Sequence, residues 1–173
     1  MGTPSKHASS SARNTGSALP PVLAKHIGYL LNRPAAMIRA KATHILKPLH
    51  LIPPHFAVMA ILKEKGSLTQ RALGDALKVD PATMVWLIDH LEKRAVVRRR
   101  AHPKDRRAHW VTLTRHGHSV FAQAERRLDR VEREFLFPLS KRESQTLGKL
   151  LSKLFRDVPV QTVPRKLFGV QDA

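Results

Sequence analysis

The chain has 173 residues, 31 Lys and Arg against 13 Asp and Glu for a formal charge of +18, and an apolar share of 42%. That share sustains a core, so the body is not a disordered polyelectrolyte; a cationic excess of this size gathers polyanions, nucleic acid first, although a ribosomal partner or an anionic membrane surface satisfies the charge alone. The absence of cysteine excludes disulfides, thiolate metal sites and a cysteine nucleophile, and no apolar run reaches the ~18 residues that span a bilayer.

Residues 1–19 are rich in Ser, Thr, Gly and Ala without apolar periodicity, which predicts a disordered basic arm. Lys6 and Arg13 are followed by no apolar stretch of the signal-peptide kind, so the expected compartment is the cytoplasm, with no membrane partner. Residues 20–47 read as helix, because Leu23, Ile27, Leu30, Leu31, Ile38 and Ile45 recur at helical spacing. Pro34 predicts a kink or break near Asn32–Pro34, since it lacks an N–H and crowds the preceding turn. A second helix starts at Pro53-Pro54 and ends near Lys65, with Gly66 as its stop.

Thr69 then caps a short helix holding Ala72, Leu73 and Leu77, and Asp80 caps the next, with Pro81 at its first position. Two capped helices joined by the short Lys78-Val79 link make a helix-turn-helix. Val96 to Ala101 and Ala108 to Leu113 are β-prone and flank a charged loop, which predicts a hairpin with a basic tip. Alternation places Trp110 and Thr112 on one side of its second strand and Val111 and Leu113 on the other. Thr114 caps a long helix to about residue 136, and Pro138 ends it. Ser140 and Glu143 form a capping box for a last helix carrying Leu147, Leu150, Leu151, Leu154 and Val158. Pro159 and Pro164 predict an irregular tail over 159–173. The expected fold class is mainly α with a small β-hairpin wing: a winged helix-turn-helix lobe over 51–114, with 20–50 and 115–158 as a helical dimerisation region.

Function concentrates in residues 68–114. On the second helix of the pair, Val85, Ile88 and Leu91 read as the apolar stripe, while Ala82, Thr83, Trp86, Asp89, His90 and Lys93 fall on other faces. A first turn of small and polar groups can enter a major groove, where Thr83 can bond a base edge or touch a thymine methyl. Trp86 can stack on a sugar, touch a thymine methyl or join the core; the DNA-facing position is the preferred reading. From Lys93 to Arg107 there are eight basic side chains against one acid, Asp105. Alternation sends Arg98 and Arg100 to one hairpin face and Arg99 to the other. One face can therefore follow phosphates while the tip, Lys104, Arg106 and Arg107, reaches a minor groove. Asp105 is expected to pair with a neighbouring Arg and fix that tip.

The residues Leu68-Thr69-Gln70, Val79-Asp80-Pro81-Ala82-Thr83, Leu87-Ile88-Asp89, Leu91-Glu92-Lys93-Arg94 and Asp105-x-Arg107-x-x-x-Val111-x-Leu113-Thr114, with Gly117 after them, resemble the MarR (multiple antibiotic resistance regulator) family over about residues 22–157. The resemblance implies a homodimer whose two winged lobes grip a pseudo-palindromic site on double-stranded DNA. It also implies a repressor released by a small aromatic or anionic effector bound between lobe and dimerisation helices. The residues expected at the DNA are Thr69, Gln70, Pro81, Ala82, Thr83, Trp86, His90, Lys93, Arg98, Arg100, Lys104, Asp105, Arg106 and Arg107. Those expected at the effector are Met37, Ala40, His44, His55 and Met59. The chain departs from the pattern at Ala95, where Gly is usual, at Trp86, where a polar or basic reader is common, at Ile52, where a Thr cap is usual, and at Pro34.

Ten histidines invite a metal, yet they form no ligand pattern with carboxylates, so neither a metal nor a cofactor is expected. A Gly-rich phosphate loop, an H-E-x-x-H helix and a nucleophile elbow are all missing, so the chain does not read as an enzyme. The competing class is a basic architectural or RNA-binding protein without an effector.

Overall fold

The computed structural model describes residues 19–101 and 109–157. The predicted N-terminal arm (all but its last residue), the wing tip over 102–108 and the C-terminal tail lie outside the described residues. The chain divides into two compact units, Met1–Ala36 and Met37–Ala173.

The first unit holds α1 (Pro21–Ala24) and the opening turns of α2 (Ile27–Leu46). The expected break near Pro34 is not found there: α2 runs through Pro34, and the interruption falls at Lys25–His26 instead. Residues 24–37 are exposed, so Pro34 sits on a helix stretch that is not packed in a core.

In the second unit, a 3-10 turn over Lys47–Leu49 ends at His50 in the left-handed region (φ 53°), after which α3 (Pro53–Lys65) begins. Ile52 has no side-chain acceptor to cap this helix. His55 supplies half of the missing arrangement, its Nδ1 accepting the Ile52 N–H at 3.2 Å. Gly66 closes the helix at φ 78°, a conformation that glycine alone adopts freely. There follow β1 (Leu68–Thr69), α4 (Gln70–Leu77), α5 (Pro81–Lys93), β2 (Val97–Ala101), β3 (His109–Leu113), α6 (Arg115–Leu136) and α7 (Lys141–Asp157). The three strands form an antiparallel sheet in the order β1-β3-β2. Its edge strand β1, which pairs Leu68 with Val111 and Thr69 with Trp110, is the element not foreseen; two residues are too few to display alternation.

One core unites the elements from the end of α2 to α6. Leu46, Val58, Met59, Leu62, Leu73, Leu87, Ile88, Leu91, Val97, Val111, Phe121 and Ala124 are all buried in it. The sheet turns Val111 and Leu113 inward as alternation requires. The N-terminus of α6 abuts the start of the wing very closely. A Cβ on Gly117 would lie 2.0 Å from the Val96 carbonyl oxygen, so only glycine fits there. The Thr114 hydroxyl holds the same joint, donating to the Ala95 carbonyl at 2.6 Å and accepting the Gly117 N–H at 2.9 Å. Among the described residues, no single helix is long and apolar enough to cross a membrane.

Candidate nucleic-acid interface

The helix-turn-helix is built by local chemistry. The Thr69 hydroxyl accepts the Ala72 N–H at 3.2 Å and opens α4. Lys78 ends that helix in the left-handed region, and the Val79 N–H returns to the Gly74 carbonyl at 3.0 Å. Asp80 then opens α5: Oδ1 accepts the Thr83 N–H at 2.9 Å, and Oδ2 accepts the Thr83 hydroxyl at 2.6 Å. These bonds from Thr83, side chain first and backbone second, hold the Asp80 carboxyl below its ordinary pKa. The cap is therefore ionised at neutral pH, where it also complements the positive end of the helix.

This geometry corrects three expectations. Thr83 is not a base reader on the outer face: it is only 3% exposed, and its hydroxyl is engaged by the cap. Trp86 does not stand out toward solvent either. It is half-buried against the core, its ring stacked on His55 at 5.6 Å and on His90 at 6.1 Å between centroids. The inward stripe of α5 is Met84, Leu87, Ile88 and Leu91, a clean i, i+3, i+4, i+7 set. Val85, assigned to that stripe from sequence, is instead 44% exposed and shares the outer edge with Pro81 and Ala82. The spacing carried the signal: Val85 lies off the arc that the other four share.

Behind the outer edge lies an aromatic layer. His55 is 1% exposed, 4.4 Å from the His90 ring, and burial, then the charges of His90 and Arg94, push its pKa down to about 3. His90 is also lowered, by burial first and then by Arg94, Lys93 and His50. Its Nε2 accepts the Arg94 Nε–H at 3.1 Å, so this residue is engaged within the lobe.

The hairpin carries the cationic face. Arg98 opposes Thr112 and Arg100 opposes Trp110, and both arginines are exposed on the same side of β2. Arg99, facing the other way, ties the wing to α4 and α5. Its Nη2 donates to Asp89 at 2.5 Å, its Nη1 to Glu92, and its Nε to the side-chain Oε1 of Gln70 at 3.1 Å. The Arg99 backbone N–H also reaches Glu92, at 2.8 Å. Sequence reasoning placed Arg99 on its face but missed this hub, because nothing in a linear pattern shows which acids a cross-strand arginine meets. Lys93 and Arg94 are exposed at the end of α5. Ala95 follows at φ 52°, the left-handed position where a glycine is easier. Lys104, Asp105, Arg106 and Arg107, with the expected Asp105 pairing, lie outside the described residues.

Met37, Ala40 and His44 are exposed along α2, whereas His55 and Met59 are buried in the core. Two clefts among the described residues have other linings. One of about 700 Å³ runs between α4 and α5 past Gln70, Arg71, Asp75, Pro81 and Val85. The other, of about 510 Å³, lies where α6 meets α7, between Asp129 and Gln145.

Comparison with known proteins agrees with this architecture. The sequence profile of the MarR family matches residues 51–109. The chain is 33% identical over 130 residues to the transcriptional regulator HosA of Escherichia coli O111:H-, a match covering 68% of this chain and 96% of HosA. Among solved structures it is similar to the transcriptional repressor CouR bound to a 23-mer DNA duplex, with 27% identity and a TM-score of 0.75 over 81% of this chain and all of that one. It is also similar to a cysteine-to-serine variant of MarR from Escherichia coli complexed with operator DNA, with 25% identity and a TM-score of 0.67, covering 73% of this chain and 91% of that one. Given the capped helix pair, the three-stranded wing and a relative matched along almost its whole length, the chain belongs to the MarR family of transcriptional regulators.

Proposed function

We propose that the protein is a cytoplasmic, sequence-specific DNA-binding regulator, not an enzyme, that acts as a homodimer on a pseudo-palindromic operator. Its lobe over 51–114 binds the duplex, and 20–50 with 115–158 form the dimerisation region. The observation that carries this reading is the placement of α5 beside the wing. The exposed edge of the helix adjoins a hairpin whose free face carries Arg98 and Arg100, all within one packed unit. The helix suits a major groove, and the arginines suit the flanking phosphates. Support for pairing comes from α7, where Leu150, Leu154 and Phe155 are 58%, 48% and 72% exposed along one helix. A stripe of that size on a lone helix calls for a partner, and a second copy supplies one by symmetry. CouR and MarR in complex with DNA support the polyanion as duplex DNA.

The regulator represses, and a small aromatic or anionic effector releases it by favouring a lobe spacing that no longer fits the operator. The test is selection of bound genomic fragments followed by footprinting. One protected inverted repeat, with half-sites about 34 Å apart, is the expected result. A uniform, unphased footprint would establish the architectural reading in its place, and an aromatic-acid screen that leaves operator binding unchanged would remove the effector.

A further inference from the structure

The first two turns of α5 offer the outside almost nothing polar. Pro81 and Ala82 are exposed and carry no hydrogen-bonding side-chain atom. Thr83 is buried with its hydroxyl on Asp80, and Met84 is buried in the core. Val85, one turn after Ala82, is exposed and apolar. Trp86 is turned against His55 and His90. The acids that follow on the same edge, Asp89 and Glu92, are held by Arg99 and so face the wing rather than a base.

In a major groove, guanine, cytosine and adenine present only donors and acceptors, and thymine alone adds a methyl group. An apolar edge pressed on donors and acceptors leaves them dry and unpaired, which is unfavourable; pressed on a methyl it gains buried apolar area. We propose that Val85, flanked by Pro81 and Ala82, reads the 5-methyl group of thymine, so that each operator half-site carries thymine where these two turns meet the groove. The inference rests on the reading of α5 as the groove-entering helix and adds the base that it selects.

Deoxyuridine tests this directly, because it differs from thymidine only by that methyl. In a site obtained by selection, each thymidine is replaced in turn and affinity is measured by fluorescence anisotropy. One lost methyl contact should weaken binding about fourfold in one half-site and about sixteenfold when both halves are changed, the equivalent of burying one methyl-sized group per lobe. Val85→Ala should bind the thymine and uracil sites alike while melting at the same temperature as the wild type. Uracil tolerated at every position by the wild-type protein, or undiminished discrimination by Val85→Ala, would overturn the inference while leaving the regulator reading intact. A wild-type protein that selects no duplex would overturn both.

Discussion

Replacing Arg99 by Ala separates the two tasks its side chain performs. The guanidinium is 20% exposed, and its partners Asp89 and Glu92 are 45% and 37% exposed, so solvent screens both ion pairs. At such exposure each pair contributes about 0.5 kcal/mol, and the bond to Gln70 adds about 1 kcal/mol. The folded lobe should lose about 2 kcal/mol, which for a chain of this size lowers the melting temperature by about 4–8 °C. The second effect is electrostatic. Asp89 and Glu92 lose their counter-charge on the edge proposed to approach DNA. The guanidinium offsets one negative charge per lobe; taking that charge as about 8 Å from one phosphate in water, with screening lengths of about 8 Å and 30 Å, the added repulsion over two lobes sums to about 0.4 kcal/mol at 0.15 M salt and about 0.8 kcal/mol at 0.01 M. Operator affinity should therefore fall about twofold at the higher salt and about fourfold at the lower. Anisotropy titrations at both salts, beside a thermal melt, measure the two effects independently. Adding Asp89→Asn and Glu92→Gln to Arg99→Ala should restore most of the affinity. If the triple variant binds as weakly as Arg99→Ala alone, Arg99 touches DNA itself and the account of a neutralising tether is wrong.

Three further outcomes follow from the same structure. Gly117→Ala should destabilise the fold by about 3 kcal/mol, since its Cβ would press on the Val96 carbonyl at 2.0 Å; Gly28→Ala, where a Cβ meets nothing within 4 Å, is the matched control in the same melts. His55 is held neutral in the fold, with its pKa lowered from 6.5 to about 3, so the unfolded chain takes up the extra proton as acid is added. Stability should then fall as pH drops from 6.5 toward 3, by up to about 1.4 kcal/mol per pH unit from this group, and His55→Phe should flatten that slope in urea titrations between pH 6.5 and 4.5. Leu150→Glu with Leu154→Glu should convert a dimer to monomers in sedimentation equilibrium and abolish operator binding; a dimer that survives both changes would move the two-fold elsewhere.

The caps were legible because a cap is local. Thr69, Asp80, Thr114 and the Ser140–Glu143 box each need only a side chain and a backbone N–H three residues on. The hairpin register was legible because Val111 and Leu113 alternate against a core. Part of what failed depended on partners distant in sequence. Trp86 is drawn inward by His55, some thirty residues earlier, and no periodicity in α5 announces a ring stack with α3. Thr83 looked like a reader because its type suits one, but an Asp three residues before it engages both its N–H and its hydroxyl. The residues expected at the effector divide in burial: His55 and Met59 face the core from the helix that supplies Val58 and Leu62, while Met37 and His44 are exposed on α2.

These placements bear on how a mostly apolar reading edge could discriminate at all. The phosphate contacts proposed for Arg98 and Arg100 would fix register but carry no base information. If Val85 contributes about 0.8 kcal/mol for one methyl, that contact in a single lobe favours thymine by about fourfold, too little on its own to find one site among many. A rigid two-fold pair multiplies that ratio by itself, and only at inverted repeats of the correct spacing. The internal anchoring of α5 then gains a purpose. The aromatic layer of His55, Trp86 and His90 on one flank and the Arg99 tether on the other fix the pitch of the helix against the wing. A weak contact repeated at two places adds fully only when neither copy can shift to relieve a mismatch. On this view, loosening either anchor should erode selectivity before it erodes affinity for random duplex, because the cationic face remains while the angle of reading is lost.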